Sequence, residues 1–180
     1  MRKYFRTGRL IPCYTEEGRC KWCRGQLPIY SLALVEVFPN LWALADDILE
    51  PVRVSYGKPI RVLRGFLCRT KMKNLLEQCE TEEQRADMEQ YRKGEAVDIT
   101  AVAGMPRKMK GVTQRELDAK PTAELTREEN LKIAKLIEAL GGFDQLVYEN
   151  CDEQGRPEWL RLSYKRKGGN RNIVMYNYKK

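Results

Sequence analysis

Cys13, Cys20 and Cys23 sit closer together than any other three cysteines in the sequence, and Cys20-Lys21-Trp22-Cys23 has the spacing shared by zinc knuckles and redox dithiols. A structural zinc site requires a full tetrahedral ligand set, and the further cysteines, Cys68, Cys79 and Cys151, lie far along the chain. Reduced thiols that simply pack are the competing reading. The chain has six cysteines and no histidine. The missing imidazole removes Ser-His and Cys-His nucleophile activation and every histidine-ligated metal mechanism. Zinc, if held at all, is therefore expected only at Cys13, Cys20 and Cys23.

The formal net charge of +8 is unevenly spread. Residues 52–73 carry seven Lys/Arg and no acid, and residues 161–180 repeat that count. Such stripes favour anionic partners, whether nucleic acid, teichoic-type polymer or a membrane surface, through attraction that does not read sequence; they also serve as plain solubilising charge. Tyr176 and Tyr178 have strand spacing, which suits a sheet face better than a base-stacking platform. No apolar run approaches bilayer-spanning length, and the early cations Arg2, Lys3, Arg6 and Arg9 are not followed by the apolar stretch of a signal peptide. The expectation is a soluble protein with no membrane span, cytoplasmic or phage-encoded.

The elements that must position any site read as follows. The length of 180 residues and 42% hydrophobic content suit one compact domain, here residues 28–180 behind a basic, cysteine-containing segment, 1–27. Residues 29–38 are a short apolar stretch, strand or helical turn. Asn40 reads as the N-cap of a helix that buries Leu41, Leu44, Ala45, Ile48, Leu49 and Val52, kinks at Pro51 and ends at Gly57. Residues 59–66 alternate apolar and basic side chains as a half-buried strand does. A polar helix over 71–90, a second strand over 95–100 and a long basic loop over 104–121 follow. Thr126-Arg127-Glu128-Glu129 has the form of a capping box opening a helix that presents Ile133, Leu136, Ile137 and Leu140 and closes at Gly141-Gly142. Strand-like runs at 145–149, 159–164 and 172–178 are separated by the turns Glu153-Gln154-Gly155 and Gly168-Gly169-Asn170, which predicts an antiparallel meander. The class is α+β, a small antiparallel sheet with flanking helices.

Several separated blocks carry a resemblance. They are Ile48-Leu49-Glu50-Pro51-Val52-Arg53, then Tyr56-Gly57-Lys58-Pro59-Ile60 and Arg64-Gly65-Phe66, then Tyr91-Arg92-Lys93-Gly94-Glu95-Ala96-Val97-Asp98-Ile99. Phe143-Asp144-Gln145-Leu146 and Glu158-Trp159-Leu160-Arg161-Leu162-Ser163-Tyr164 complete the series. In this order the blocks resemble the zinc D-Ala-D-Ala carboxypeptidase and peptidoglycan endopeptidase family, whose metal motifs are His-x-x-Gly-x-Ala-x-Asp and Trp-x-His-x-Ser. Ordered blocks over residues 28–178 are more specific than any one of them. The resemblance implies a hedgehog/DD-peptidase-like fold.

It also implies what has been lost. The family holds zinc with two imidazoles and a carboxylate, beside a glutamate acting as base. By the resemblance the former metal positions fall on Tyr91, Asp98 and Arg161, and Glu158 falls on the position of the base. A guanidinium offers a metal no lone pair at physiological pH, and a tyrosine offers one only as phenolate. The family's arginine after the Gly-Tyr pair corresponds to Leu67, with Arg69 a conceivable substitute. The expectation is a catalytically degenerate domain, with Asp98 and the vestigial base Glu158 persisting and an Asp98, Arg161 and Tyr91 cluster plugging the old metal site. No cofactor is expected there. Such a domain would bind peptide or peptidoglycan fragments without zinc-dependent hydrolysis. Residual or unconventional peptidase activity, and a nucleic-acid-associated or scaffold protein reusing the fold, are the alternatives. Apart from the resemblance, Asp98 reads as a strand-end carboxylate, Glu158 as a turn residue and Arg161 as a polar-face strand residue.

Overall fold

The structure is a computed structural model and describes residues 3–5, 32–66, 69–102 and 122–178. In chain order the elements are α1 (Leu32–Leu44), a π-helical turn (Ala45–Leu49), α2 (Glu50–Tyr56), β1 (Ile60–Arg64), α3 (Arg69–Leu76) and α4 (Glu82–Arg92). Then come β2 (Ala96–Ala101), α5 (Thr122–Leu140), β3 (Gln145–Cys151), β4 (Trp159–Ser163) and β5 (Ile173–Tyr178). The class is α+β, as the sequence pattern predicts.

The first helical run starts earlier than Asn40. Asn40 lies inside α1, and its side chain donates to the Lys93 carbonyl instead of capping a helix (3.0 Å). The run widens immediately before Pro51, where the Glu50 N–H reaches back to the Ala45 carbonyl. Proline has no N–H to continue the ordinary ladder, and a π-turn is one way a helix absorbs that loss. Gly57 ends α2 in the left-handed conformation, φ 74°. The polar stretch expected as one helix is two, because Thr81 starts α4 with a capping box closed by Gln84. Conversely, α5 begins at Thr122, so the capping-box pattern at Thr126 lies within it. Glu129 is instead drawn into contacts with Tyr56, Lys58 and Lys132.

The five strands run in the order β1-β2-β4-β3-β5. All neighbours are antiparallel except β3 and β5, which are parallel. The sheet is therefore mixed, and the expected antiparallel meander of the last three strands is corrected. The reason is physical: β4 already has β2 and β3 on its two sides, so no edge of β4 remains for β5. The connection over residues 164–172 crosses the start of β3 and is gripped there by Asp144. That carboxylate is fully buried and is held bidentately by Arg171 (2.7 and 2.9 Å) and by Lys165 (3.3 Å). Backbone bonds from Asn172 N–H to the Phe143 carbonyl (2.8 Å) and from Ile173 N–H to the Asp144 carbonyl (3.0 Å) then start β5 beside β3.

One face of the sheet carries the main core. Ile60, Val97, Ile99, Leu146, Tyr148, Leu160 and Leu162 pack with Leu41, Leu44, Ile48, Leu49, Val52, Ile133, Ala134 and Ile137. Alternation along β2 turns Ala96 and Asp98 to the other face, where Met72, Tyr91 and Ala96 form a small second cluster with Leu75, Leu76 and Met88. Of the polar residues singled out above, Tyr91, Asp98 and Arg161 belong to that second face.

Candidate functional site

Three local features bring the cluster together. Tyr91 sits in the last turn of α4. Gly94 then reverses the chain at φ 72°, and a Cβ there would lie 2.7 Å from the Val37 carbonyl oxygen; only glycine fits both demands. From Gly94 the strand period of two aims Ala96 and Asp98 at the face that Tyr91 covers. Ala96 is fully buried in one cluster with Tyr91 and Met72. The spacing Tyr91-x-x-Gly94-x-Ala96-x-Asp98 is thus a helix-to-strand corner with defined packing at each named position.

Asp98 is 5% exposed and accepts a hydrogen bond from the Tyr91 hydroxyl. Its other oxygen faces Arg64 Nε at 3.3 Å, and the Arg64 guanidinium lies 5.4 Å from the Tyr91 ring centroid. Arg64 reaches this face because of a bulge in β1. Val62 pairs with Ile99, but the next pairing is Arg64 with Asp98, so Leu63 is an extra residue. Regular alternation from Ile60 and Val62 would have aimed Arg64 at the core; the bulge re-aims it. Arg161 is the register partner of Asp98 across the β2–β4 ladder and so shares its face. Its guanidinium pairs with Asp87 of α4 (2.5 Å) and approaches Glu149 of β3 (3.8 Å).

The electrostatics follow from this packing. Burial raises the Asp98 pKa above the ordinary aspartate value, against the pull of Arg64, Tyr91 and Arg161. Burial, with the neighbouring Asp98, also pushes Tyr91 well above the usual phenol range. Burial works against the charge on Arg161, but Tyr91, Asp87 and Glu149 outweigh it, and its pKa is raised. Tyr91 is therefore a neutral donor and Arg161 a fixed cation, and neither offers a metal an electron pair at neutral pH. Among the described residues there is no group of three or more His, Cys, Asp or Glu side chains placed to hold a metal ion.

The structure brings Tyr91, Asp98 and Arg161 together. It places Glu158 elsewhere, on the side of the sheet covered by α5, where its carboxylate meets Arg127 (3.3 Å) and the Asn150 amide. Its backbone carbonyl accepts from Asn130 (2.6 Å). The direct cation on Asp98 is Arg64, not Arg161 as the paired-residue argument anticipates. Cys13, Cys20, Cys23 and Leu67 lie outside the described residues. The thiols of Cys79 and Cys151 are free and donate to main-chain carbonyls.

Three members of the cluster have no role assigned by the motif comparison, although Arg64 opens one of its blocks: Arg64, Asp87 and Glu149. Each has a signal. The apolar pair Val62-Leu63 interrupts the alternation of β1 and marks the bulge. Asp87 is four residues before Tyr91, on the same helix face. Glu149 follows Val147 by the strand period, on the face of Arg161. No helix among the described residues is long and apolar enough to cross a membrane. Compared with protein-family models, with curated proteins and with solved structures, the chain finds no match.

Proposed function

We propose that the chain is a degenerate D-Ala-D-Ala carboxypeptidase-like domain that binds peptide or cell-wall material without zinc-dependent hydrolysis. The observation that carries this reading is the convergence of Tyr91, Asp98 and Arg161 on one face of the sheet, in the order and spacing of the family's metal ligands. Where that family has a dication, this chain has the guanidinium groups of Arg64 and Arg161, with Asp98 as the remaining carboxylate. Cations placed this way complement a buried carboxylate without needing a metal. The position of Glu158, turned toward α5, also favours binding over hydrolysis, because it leaves Asp98 without that carboxylate as a neighbouring base.

The test is to restore the ligands. Tyr91→His with Arg161→His, combined with Arg64→Ser to free the second Asp98 oxygen, is expected to bind zinc stoichiometrically, as measured by metal analysis after gel filtration. A folded triple variant that takes up no zinc would refute the family reading. Calorimetric titration of the unaltered protein with a peptide ending in D-Ala-D-Ala checks binding. Turnover of that peptide by the unaltered protein would replace the binding reading with a hydrolytic one.

A further inference from the structure

The connection from β4 to β5 contains a basic loop, Lys165-Arg166-Lys167-Gly168-Gly169-Asn170-Arg171, that the Asp98 cluster does not use. Its two end cations are spent on the fold, because Lys165 and Arg171 both hold the buried Asp144. Above that anchor the loop closes on itself. The Asn170 side chain accepts from the Lys165 N–H (2.8 Å) and donates to the Lys165 carbonyl (3.2 Å), and the Gly168 N–H donates to the same carbonyl (3.1 Å). Gly168 and Gly169 follow with φ of 91° and 79°, and nothing lies within 4 Å of where a Cβ would stand at either. A ligand can therefore approach the main chain itself. What this anchored base presents to solvent is the pair Arg166 and Lys167, both exposed. A third cation joins them from the α4–β2 corner. The Tyr164 N–H donates to the Glu95 carbonyl (2.8 Å), which sets the loop beside that corner. Asn40 bridges the two, donating to the Lys93 carbonyl and accepting from Arg166 Nε (3.4 Å).

Lys93 is exposed, and neither it nor Lys167 has an acidic partner among the described residues, while the partner of Arg166 is the neutral Asn40. Three acids are tied to this end of the sheet: Asp47 through the Tyr164 hydroxyl (2.6 Å), Glu95 through its main chain, and the buried Asp144. The cations Lys93, Lys165, Arg166, Lys167 and Arg171 outnumber them. Cations held this close repel one another, so a matching partner carries several negative charges at short spacing. Duplex DNA does, with one charge per about 1.7 Å of helix axis. Residues 166–169 are all exposed, so the loop is a projection. A small anion finds no enclosing wall there, but a polymer backbone can lie across it. The exposed rings of Tyr176 and Tyr178 lie toward the far end of β5, which leaves bases no stacking platform at the loop and favours a duplex over a single strand. We infer that Lys93, Arg166 and Lys167, with the open main chain of Gly168 and Gly169, dock the phosphate backbone of duplex DNA without reading its sequence. This surface does not depend on the peptide reading or on the Asp98 cluster.

Fluorescence anisotropy of a dye-labelled, mixed-sequence DNA duplex, titrated with the protein at several salt concentrations, tests the inference. Three phosphate contacts predict a slope of log affinity against log salt of about −2.7, so affinity should fall roughly 40-fold between about 50 and 200 mM salt. Lys93→Gln, Arg166→Gln and Lys167→Gln should each bring the slope nearer zero by about 1, and unrelated duplex sequences should bind alike. These substitutions are at exposed positions and leave the Asp144 anchor intact; an unchanged urea midpoint shows that each variant is folded. Arg61→Gln removes an exposed cation of β1 that has no partner among the described residues, and it should leave the slope unchanged. No saturable binding at about 50 mM salt overturns the inference. So do loop variants that bind like the parent, or an Arg61→Gln variant weakened as much as they are. Tighter binding of the corresponding single strand, or of vesicles containing anionic phospholipid at equal phosphate concentration, would overturn the assignment to a duplex.

Discussion

Removing a single oxygen atom tests whether the Asp98 cluster is held together as described. Tyr91→Phe keeps the ring, which is 1% exposed, and deletes only the hydroxyl that donates to Asp98. Asp98 would keep Arg64 on one oxygen and lose the donor on the other, at a position only 5% exposed. A hydrogen bond to a charged group is worth roughly 1.5–3 kcal/mol. With a urea dependence of about 2 kcal/mol per molar, the unfolding midpoint at pH 7 should drop by about 1 M.

The pH dependence of that loss has a definite sign. Asp98 already titrates above the ordinary aspartate value of 3.8, chiefly through burial, and the Tyr91 hydrogen bond pulls it back down. Without the hydroxyl the folded-state pKa rises further, so the folded variant takes up a proton more readily than the folded parent does. The deficit is therefore largest at neutral pH and shrinks as the pH falls toward 3.8. In an Asp98→Asn background, where the bond is between neutral groups, the same change should cost about 1 kcal/mol. Urea titrations of the four proteins of this cycle at several pH values give all these quantities. A deficit below about 0.5 kcal/mol at pH 7, or one that does not change with pH, would refute the buried, charge-assisted bond.

Gly94→Ala should cost about 2–4 kcal/mol, because it combines a left-handed backbone with a Cβ driven into the Val37 carbonyl. Gly57→Ala, at a similar φ but with open space around it, should cost only about 1 kcal/mol; thermal or urea unfolding of the pair separates strain from collision. Glu129 supplies an acid-sensitive brace between α2 and α5. Burial opposes its charge, but Lys132, Lys58 and Tyr56 outweigh burial and hold its pKa at about 2 instead of 4.5. Its contribution is present above pH 4.5 and is lost as the pH falls through about 2, so Glu129→Gln should lower stability at pH 7 and flatten the acid limb of the stability curve.

The parts of the fold legible in the sequence were those set by local periodicity. The strands around Ile60, Val97, Leu146 and Leu160, and the helical face running from Leu41 to Val52, follow from period and turn residues alone. What failed was decided by distant partners. Thr126 to Glu129 has the form of a capping box, yet Glu129 is claimed by Tyr56 and Lys58, more than seventy positions away. The last three runs read as a meander because adjacent strands usually pair, but Asp144 holds the connection and hands β5 to β3. Within the candidate site, spacing and resemblance pointed to Tyr91, Asp98 and Arg161, whose shared face depends on one corner and one ladder. The same reasoning grouped Glu158 with them, and its side chain instead faces α5. Arg64 was missed because a bulge reverses the facing of a strand without changing its composition.

The strand order has a kinetic consequence. The β2–β4 ladder that faces Asp98 with Arg161 lies at the interior of the sheet, and those two residues are sixty-three positions apart in the chain. Until that long loop closes, the α4–β2 corner can form locally, but Asp98 has only Tyr91 and Arg64 as partners. Arg161 meets Asp87 and Glu149 only when β4 arrives between β2 and β3. Closure of such non-local contacts is the slow step in folding. A ribosome-bound chain lacking β4 would therefore display half of the cluster, with the Asp98 edge of β2 unpaired and available to misassociate.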